Sequence, residues 1–177
     1  LTFTLPDLRA YCGAEMVSQT MHNLYTPRGA KVRDARLWSK LIDEATVHAA
    51  QAEVYFGSHH WPVWGQAAIH DFLIHQRDVY AYLHDQTVRM MNAGMTAREI
   101  AEEMRMPPSL DRFLAVHGYY GTVRHNVKGI YQFYLGWFDA NPANLDPLPP
   151  QEAGRRYVAL AGGTDPAVAA AQTAFDA

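Results

Sequence analysis

The 177-residue sequence has a single cysteine, Cys12, and this scarcity excludes both an internal disulfide framework and a multi-cysteine zinc site. Long hydrophobic runs are also absent, because charged residues interrupt every apolar segment, and we predict no membrane span. Basic residues are in slight deficit: the net charge is −3 and the pI is near 6.3, which gives no support for binding to nucleic acid or an anionic membrane. The first residues lack the basic and apolar segments of a signal peptide, so we expect the sequence to continue upstream.

What the sequence does contain is enough apolar residues for a substantial core, 49% of the total, and nine histidines. Asp34 is a plausible N-cap for a helix that runs to about residue 50, and residues 52–58 alternate as a β-strand does. From residue 66 onward the apolar spacing is helical. The predicted helices cover residues 66–91, 96–104, 120–139, 151–160 and 166–177. The pattern therefore predicts a short α/β segment followed by a mostly helical chain.

Two adjacent histidines, His59 and His60, stand at the end of the predicted strand in the stretch SHHWPVWG, residues 58–65. Ligands of α/β folds collect at the carboxyl ends of strands, so metal ligation is one interpretation. An extended backbone would point the two imidazoles to opposite sides, so at most one would face a given metal. No HExxH, HxHxD or CxxC motif completes a site. For the pair alone a packed turn is therefore favoured, and metal ligation stays open.

Three further features raise functional hypotheses. Arg28 lies in the Pro/Gly loop YTPRGA with Asn23 nearby, where a guanidinium would bind an oxyanion, although a solvent-facing arginine is the alternative. His125 lies on an aromatic-rich predicted helix, either as a proton donor in a cleft or as a packed polar residue. Residues 96–114 resemble the first half of a helix-turn-helix, but Arg112 is the only basic residue of the second helical segment, so DNA binding is not expected.

Three sequence blocks occur in order at residues 22–30, 58–65 and 134–150: HNLYTPRGA, SHHWPVWG and YLGWFDANPANLDPLPP. Together they resemble the alkyl sulfatases of the metallo-β-lactamase superfamily, and the resemblance extends over nearly the whole chain. It implies a mostly α fold in which residues 1–65 are the carboxyl-terminal remnant of an αββα zinc domain. Residues 66–160 would then form an all-helical dimerisation domain, and residues 161–177 would begin a helix leading to a further domain.

The resemblance also implies a hydrolase with two zinc ions that converts a small alkyl sulfate ester to alcohol and sulfate. It implies Glu15 and His60 as metal ligands, Arg28 and Asn23 as substrate-binding residues, and His125 as the proton donor to the leaving group. A homodimer is implied, and a periplasmic or secreted location is favoured over a cytoplasmic one.

One departure from the family pattern is the missing HxHxDH motif, which supplies most zinc ligands in these enzymes and does not occur in the 177 residues. Two protein ligands do not hold a binuclear zinc centre. We therefore expect the chain to act as part of a longer enzyme. The alternative hypothesis is a non-catalytic helical dimerisation module that has no activity as this chain alone.

Overall fold

The computed structural model describes all residues 1–177 and contains one small sheet and seven α-helices. The sheet has four strands in the order in which they occur along the chain: β1 (Phe3–Leu5), β2 (Ala10–Ala14), β3 (Val54–Gly57) and β4 (Val63–Trp64). The central pair, β2 and β3, is parallel, and both outer pairings are antiparallel. The predicted fold class, mostly α with a small β portion, is confirmed.

The helices are α1 (Ala35–His48), α2 (Gln66–Asn92), α3 (Ala97–Glu103), α4 (Pro108–Asp111), α5 (Val123–Leu135), α6 (Pro150–Leu160) and α7 (Thr164–Phe175). The predicted start of α1 is confirmed, because the Asp34 carboxylate accepts a hydrogen bond from the Leu37 N–H at 3.0 Å. Helix α5 is shorter than predicted. It begins after the Thr122 cap and ends at Leu135, before Gly136, whose positive φ of +78° does not continue a helix.

Packing divides the chain into two units, Leu1–Trp137 and Phe138–Ala177. In the first unit, α1 connects the parallel strands β2 and β3 and packs against α2, and apolar side chains of the two helices fill the core. In the second unit, α6 and α7 contact each other. The boundary predicted at residue 65 concerns domains of a longer protein and stays a prediction. None of the helices is both long and apolar enough to cross a bilayer.

The stability of the first unit depends on the contact between α1 and α2. Ile42 of α1 is fully buried, whereas Val47 of the same helix is 74% exposed. We expect Ile42→Ala to lower the free energy of unfolding by about 2–5 kcal/mol, because it removes buried methylene groups and leaves a cavity. The control Val47→Ala should change it by less than about 0.5 kcal/mol. Urea unfolding followed by circular dichroism measures both; equal effects would contradict the described packing.

Candidate functional site

A cleft lies at the carboxyl ends of the two parallel strands. Glu15 directly follows β2, and His59 and His60 come two and three residues after β3. The predicted position of both histidines at a strand end is thus confirmed. The volume of the cleft is about 510 Å³, and its walls also include residues from a loop after β2 and from the loop before α5. The lining residues are Glu15, His22, Arg28, Arg33, His59, His60, Tyr119 and Tyr120.

The histidine pair does not have the geometry expected from an extended backbone. His60 has a φ of +66°, in the left-handed region, so the chain turns at this residue and both imidazoles line the same cleft. The expectation that the two would face opposite sides was wrong for this reason. Of the two, His59 is the one whose Nε2 lies 3.5 Å from Oε1 of Glu15. The ring of His60 instead meets the Trp61 ring edge-on at 5.9 Å.

The strand end that carries Glu15 is also irregular. The pairing of β2 with β3 shifts register between Cys12 and Ala14, and Ala14 has a left-handed φ of +47°. Between them lies Gly13, where any Cβ would overlap the hydroxyl of Tyr55. The shifted register and the turn at Ala14 together place Glu15 beside the histidines.

His22 is the most buried histidine of the cleft, with 7% of its surface exposed. Its ring lies 5.1 Å from the Trp38 ring and meets Tyr120 edge-on at 5.1 Å. Nδ1 is 2.9 Å from the carbonyl oxygen of Asn23, which only accepts, so in this contact Nδ1 carries the proton. In the neutral ring Nε2 is then the basic nitrogen. Burial lowers the pKa of His22 below its ordinary value of 6.5, and the nearby Arg33 charge acts in the same direction.

The lowered pKa of His22 has a consequence for stability against pH. Since the unfolded state binds this proton more tightly, the stabilising contribution is present above about pH 6.5 and is lost as the pH falls through the lower folded-state pKa. We expect acidification from about pH 7.5 to about pH 5.5 to destabilise the chain less in His22→Asn than in the unsubstituted protein. His70→Asn, at an exposed site on α2, is the control. Urea unfolding at the two pH values would contradict the expectation if His22→Asn retained the full pH dependence.

Two guanidinium groups line the cleft, and only one of them is fixed. Nη1 of Arg33 donates to the Asn23 carbonyl at 2.6 Å, and the guanidinium lies 5.5 Å from the centre of the Trp38 ring. Arg28 is exposed and has neither a hydrogen bond nor an ion pair with another residue. The cleft therefore contains one anchored cation and one that is available to a ligand. Sequence reasoning identified Arg28 but missed Arg33, whose only signal is its place shortly after the same loop.

Two predicted site residues do not line the cleft. The side chain of Asn23 is buried and its Oδ1 has no hydrogen-bond partner, while its carbonyl oxygen receives both Arg33 and His22. Nε2 of His125 donates to the carbonyl oxygen of Tyr25. The cleft thus brings together Glu15, His60 and Arg28 of the predicted set, but neither Asn23 nor His125. The roles of all five remain predictions.

The donor atoms of the cleft fit part of a zinc site. A carboxylate and an imidazole are the ligand types that Zn²⁺ prefers, and Glu15 and His59 already lie side by side. His60 offers a second imidazole in the same cleft. Nowhere in the chain do three or more acidic, histidine or cysteine side chains converge on a single point. Glu15, His59 and His60 thus do not converge on one point as the ligands of a zinc site do.

Known proteins are similar to this chain over nearly its whole length. Residues 96–177 match the alkyl sulfatase dimerisation family. An alkyl/aryl-sulfatase of Saccharomyces cerevisiae is 49% identical over 97% of this chain, and an (R)-specific secondary-alkylsulfatase of Pseudomonas sp. is 43% identical over 97%. The chain spans only 27% and 26% of these two relatives.

Structural comparison gives the same family. The stereoselective inverting sec-alkylsulfatase from Pseudomonas sp. superposes with a TM-score of 0.94 at 42% identity, covering 99% of this chain and 28% of that chain. The fold of the chain, including its small sheet, is therefore that of a segment of this larger protein. The resemblance expected from the sequence blocks is confirmed: the chain is similar to one segment of the alkyl sulfatases, and its residues 96–177 match the alkyl sulfatase dimerisation family.

Proposed function

We propose that the chain is part of a zinc-dependent alkyl sulfatase that hydrolyses alkyl sulfate esters to alcohol and sulfate. The observation that carries the proposal is the cleft itself, where the Glu15–His59 pair shares one cavity with the unpaired guanidinium of Arg28. Metal-type donors beside a free cation suit an anionic ester whose charge must be neutralised near a metal. The relatives are named as sulfatases, which supports the substrate class.

Glu15 and His60 are the ligands that the family resemblance assigns, and His59 is the alternative imidazole because of its approach to Glu15. The remaining ligands would come from the part of the enzyme that precedes this chain. When held there, zinc supplies Lewis acidity and makes water an effective nucleophile at neutral pH. Both strand ends contribute by fixing where the ligand side chains leave the backbone, which limits the reorganisation needed on binding.

Arg28 would bind the sulfate group of the substrate. Its planar guanidinium matches two sulfate oxygens at once, and it has no competing partner in the cleft. Arg33 would add a second positive charge from a fixed position, since the Asn23 carbonyl and the Trp38 ring hold it. Tyr119 and Tyr120 line the same cavity and would shield the ester from bulk water, which strengthens these charge interactions.

His22 would transfer protons in this site. Its neutral ring faces the cleft with Nε2 as the basic nitrogen, and burial keeps the ring neutral at pH 7. His125, the residue predicted for this role, donates to the Tyr25 carbonyl and does not line the cavity. We therefore propose that His125 holds the loop that carries Arg28, and that His22 performs the proton transfer.

The test is sulfate release from a long-chain alkyl sulfate by the full-length protein that contains this chain. We expect turnover that chelation abolishes and that added zinc restores. Alkyl phosphate of the same chain length is the control substrate, and it should be hydrolysed more slowly. Absence of sulfate release from the zinc-loaded protein would contradict the proposal.

A second candidate is a dimerisation module without catalysis, which the match of residues 96–177 to a dimerisation family favours. A homodimer is expected under both hypotheses. They differ in zinc binding by the full-length protein: the enzyme binds it through Glu15 and a histidine, and the module does not. Metal analysis of the full-length protein separates the two, and light scattering of the 177-residue chain tests the homodimer that both hypotheses expect.

A further inference from the structure

We propose that Tyr80 of α2 and Asn126 of α5 are positioning residues that hold the His22 ring in the cleft. The inference deepens the proposed function, on which the proton-transfer role of His22 rests. Neither Tyr80 nor Asn126 lines the cavity, so both act through the backbone of His22.

The peptide groups around His22 are bonded to side chains of these two helices. The His22 N–H donates to the hydroxyl oxygen of Tyr80 at 2.8 Å. On the other side, Nδ2 of Asn126 donates to the His22 carbonyl oxygen at 2.9 Å, and Oδ1 of Asn126 accepts from the Leu24 N–H at 2.9 Å. His22 lies outside any helix or strand, so these bonds replace the regular pairing that would otherwise fix its backbone.

Burial protects these hydrogen bonds from competition by water. Asn126 is completely buried and Tyr80 is 1% exposed, so water does not readily replace either partner. If the buried Asn126 amide lost one of its hydrogen bonds, the folded state would be less stable. Residues 22–24 are therefore restricted to the conformation in which these bonds form. Asn126 uses both ends of its side-chain amide on the two backbone groups and so fixes the direction of the chain from residue 22 to residue 24.

Two further contacts confine the same segment. The Tyr80 ring stacks on Trp38 with centroids 5.3 Å apart and planes 15° apart, and Trp38 in turn faces the His22 ring. The Gly121 N–H donates to the Met21 carbonyl at 2.9 Å, and a Cβ at position 121 would overlap the His22 carbonyl group. The backbone and the ring of His22 are therefore both held by residues that the sequence places 16 to 104 positions away.

Asn126 belongs to a different segment of the chain from the acidic and histidine residues of the cleft. Helix α5 lies inside the segment that matches the dimerisation family, whereas Glu15 and His59 lie outside it. A residue of the dimerisation segment thus fixes part of the cleft in the preceding segment. We infer that the helical segment contributes to catalysis by setting the geometry of the site as well as by association.

Hydrogen exchange in the 177-residue chain tests the geometry without any activity. Tyr80→Phe keeps the stacked ring and removes only the acceptor, so the His22 amide should exchange about tenfold faster, as loss of one buried hydrogen bond allows. Asn126→Ala should speed exchange of the Leu24 amide in the same way. Tyr82→Phe is the matched control, because Tyr82 lies on the same helix as Tyr80. The Tyr82 hydroxyl donates to the Arg105 carbonyl oxygen at 2.8 Å and contacts no residue of the cleft. Unchanged exchange at His22 in Tyr80→Phe would overturn the proposal.

Kinetics of the full-length enzyme test the catalytic part. We expect Tyr80→Phe to lower kcat about tenfold at unchanged KM and zinc content, because a displaced His22 impairs the chemical step and not substrate binding. Tyr82→Phe should leave both constants unchanged. Faster exchange with an unchanged kcat would overturn the positioning role. If the unsubstituted enzyme releases no sulfate, the proposed function fails, and the exchange experiment still decides whether Tyr80 and Asn126 hold His22.

Discussion

Glu15→Gln in the full-length protein is expected to lower the zinc content and to reduce sulfate release about 10³-fold or more. The substitution keeps the size of the side chain but removes the negative charge that a zinc ligand needs at this position. Glu15 is exposed and its carboxylate lies beside the exposed His59 imidazole, so the fold should not change. Metal analysis and initial rates at saturating alkyl sulfate measure the two effects.

The matched control for this substitution is Glu53→Gln, at the opposite end of β3 from the histidines. Glu53 forms an ion pair with Arg9 at 2.8 Å on the surface, so its loss should leave zinc content and rate unchanged. Normal zinc content and activity in Glu15→Gln would contradict the ligand assignment. The same assay applied to His59→Asn and His60→Asn identifies the imidazole ligand, since asparagine tolerates the left-handed backbone at position 60.

Arg28→Ala is expected to lower kcat/KM for alkyl sulfates about 10²- to 10³-fold while leaving the zinc content unchanged. The guanidinium is exposed in the cleft and has no partner in the protein, so its removal should cost little stability. The sulfate group would lose its main charge partner in both the bound and the transition state. Steady-state kinetics, metal analysis and thermal unfolding together separate these contributions.

Arg98→Ala provides the control for this loss of a positive charge, because Arg98 is exposed on α3 and does not line the cleft. The kcat/KM of this variant should stay within about twofold of that of the unsubstituted enzyme. The difference should shrink further at higher salt, because salt screens distant charges. Loss of zinc in Arg28→Ala would contradict the substrate-binding role and would indicate that the arginine stabilises the metal site instead.

The sequence predicted the helices better than the sheet. The N-cap at Asp34 and the capping box from Thr96 to Glu99 act over a few residues, so their local signals determined where α1 and α3 begin. Strands β1, β2 and β4 were not predicted, because they have two to five residues and no clear alternation. Their pairing depends on contacts between residues far apart in the chain, which a local pattern does not contain.

The site was predicted in part for a similar reason. His59 and His60 could be placed at a strand end, the Pro/Gly loop raised Arg28, and the family resemblance added Glu15. His22 and Arg33 were missed as cleft residues, because the loop that contains them has no periodic pattern. Asn126 had no signal at all: its role depends on a contact across 104 positions with a backbone carbonyl, and any residue can supply a carbonyl.

Ala14 and His60, the two residues at which the chain turns into the cleft, both have left-handed backbones without being glycine. Such a conformation costs about 1–2 kcal/mol for a residue with a Cβ, and conformational strain of this kind concentrates at functional sites. The two left-handed residues thus lower the stability of the chain while they fix its direction at the cleft. Ala14→Gly should raise the free energy of unfolding by up to about 1 kcal/mol. It should also leave the Glu15 carboxylate less firmly positioned. A search for more heat-resistant variants is therefore expected to select Ala14→Gly at the expense of an ordered Glu15 side chain.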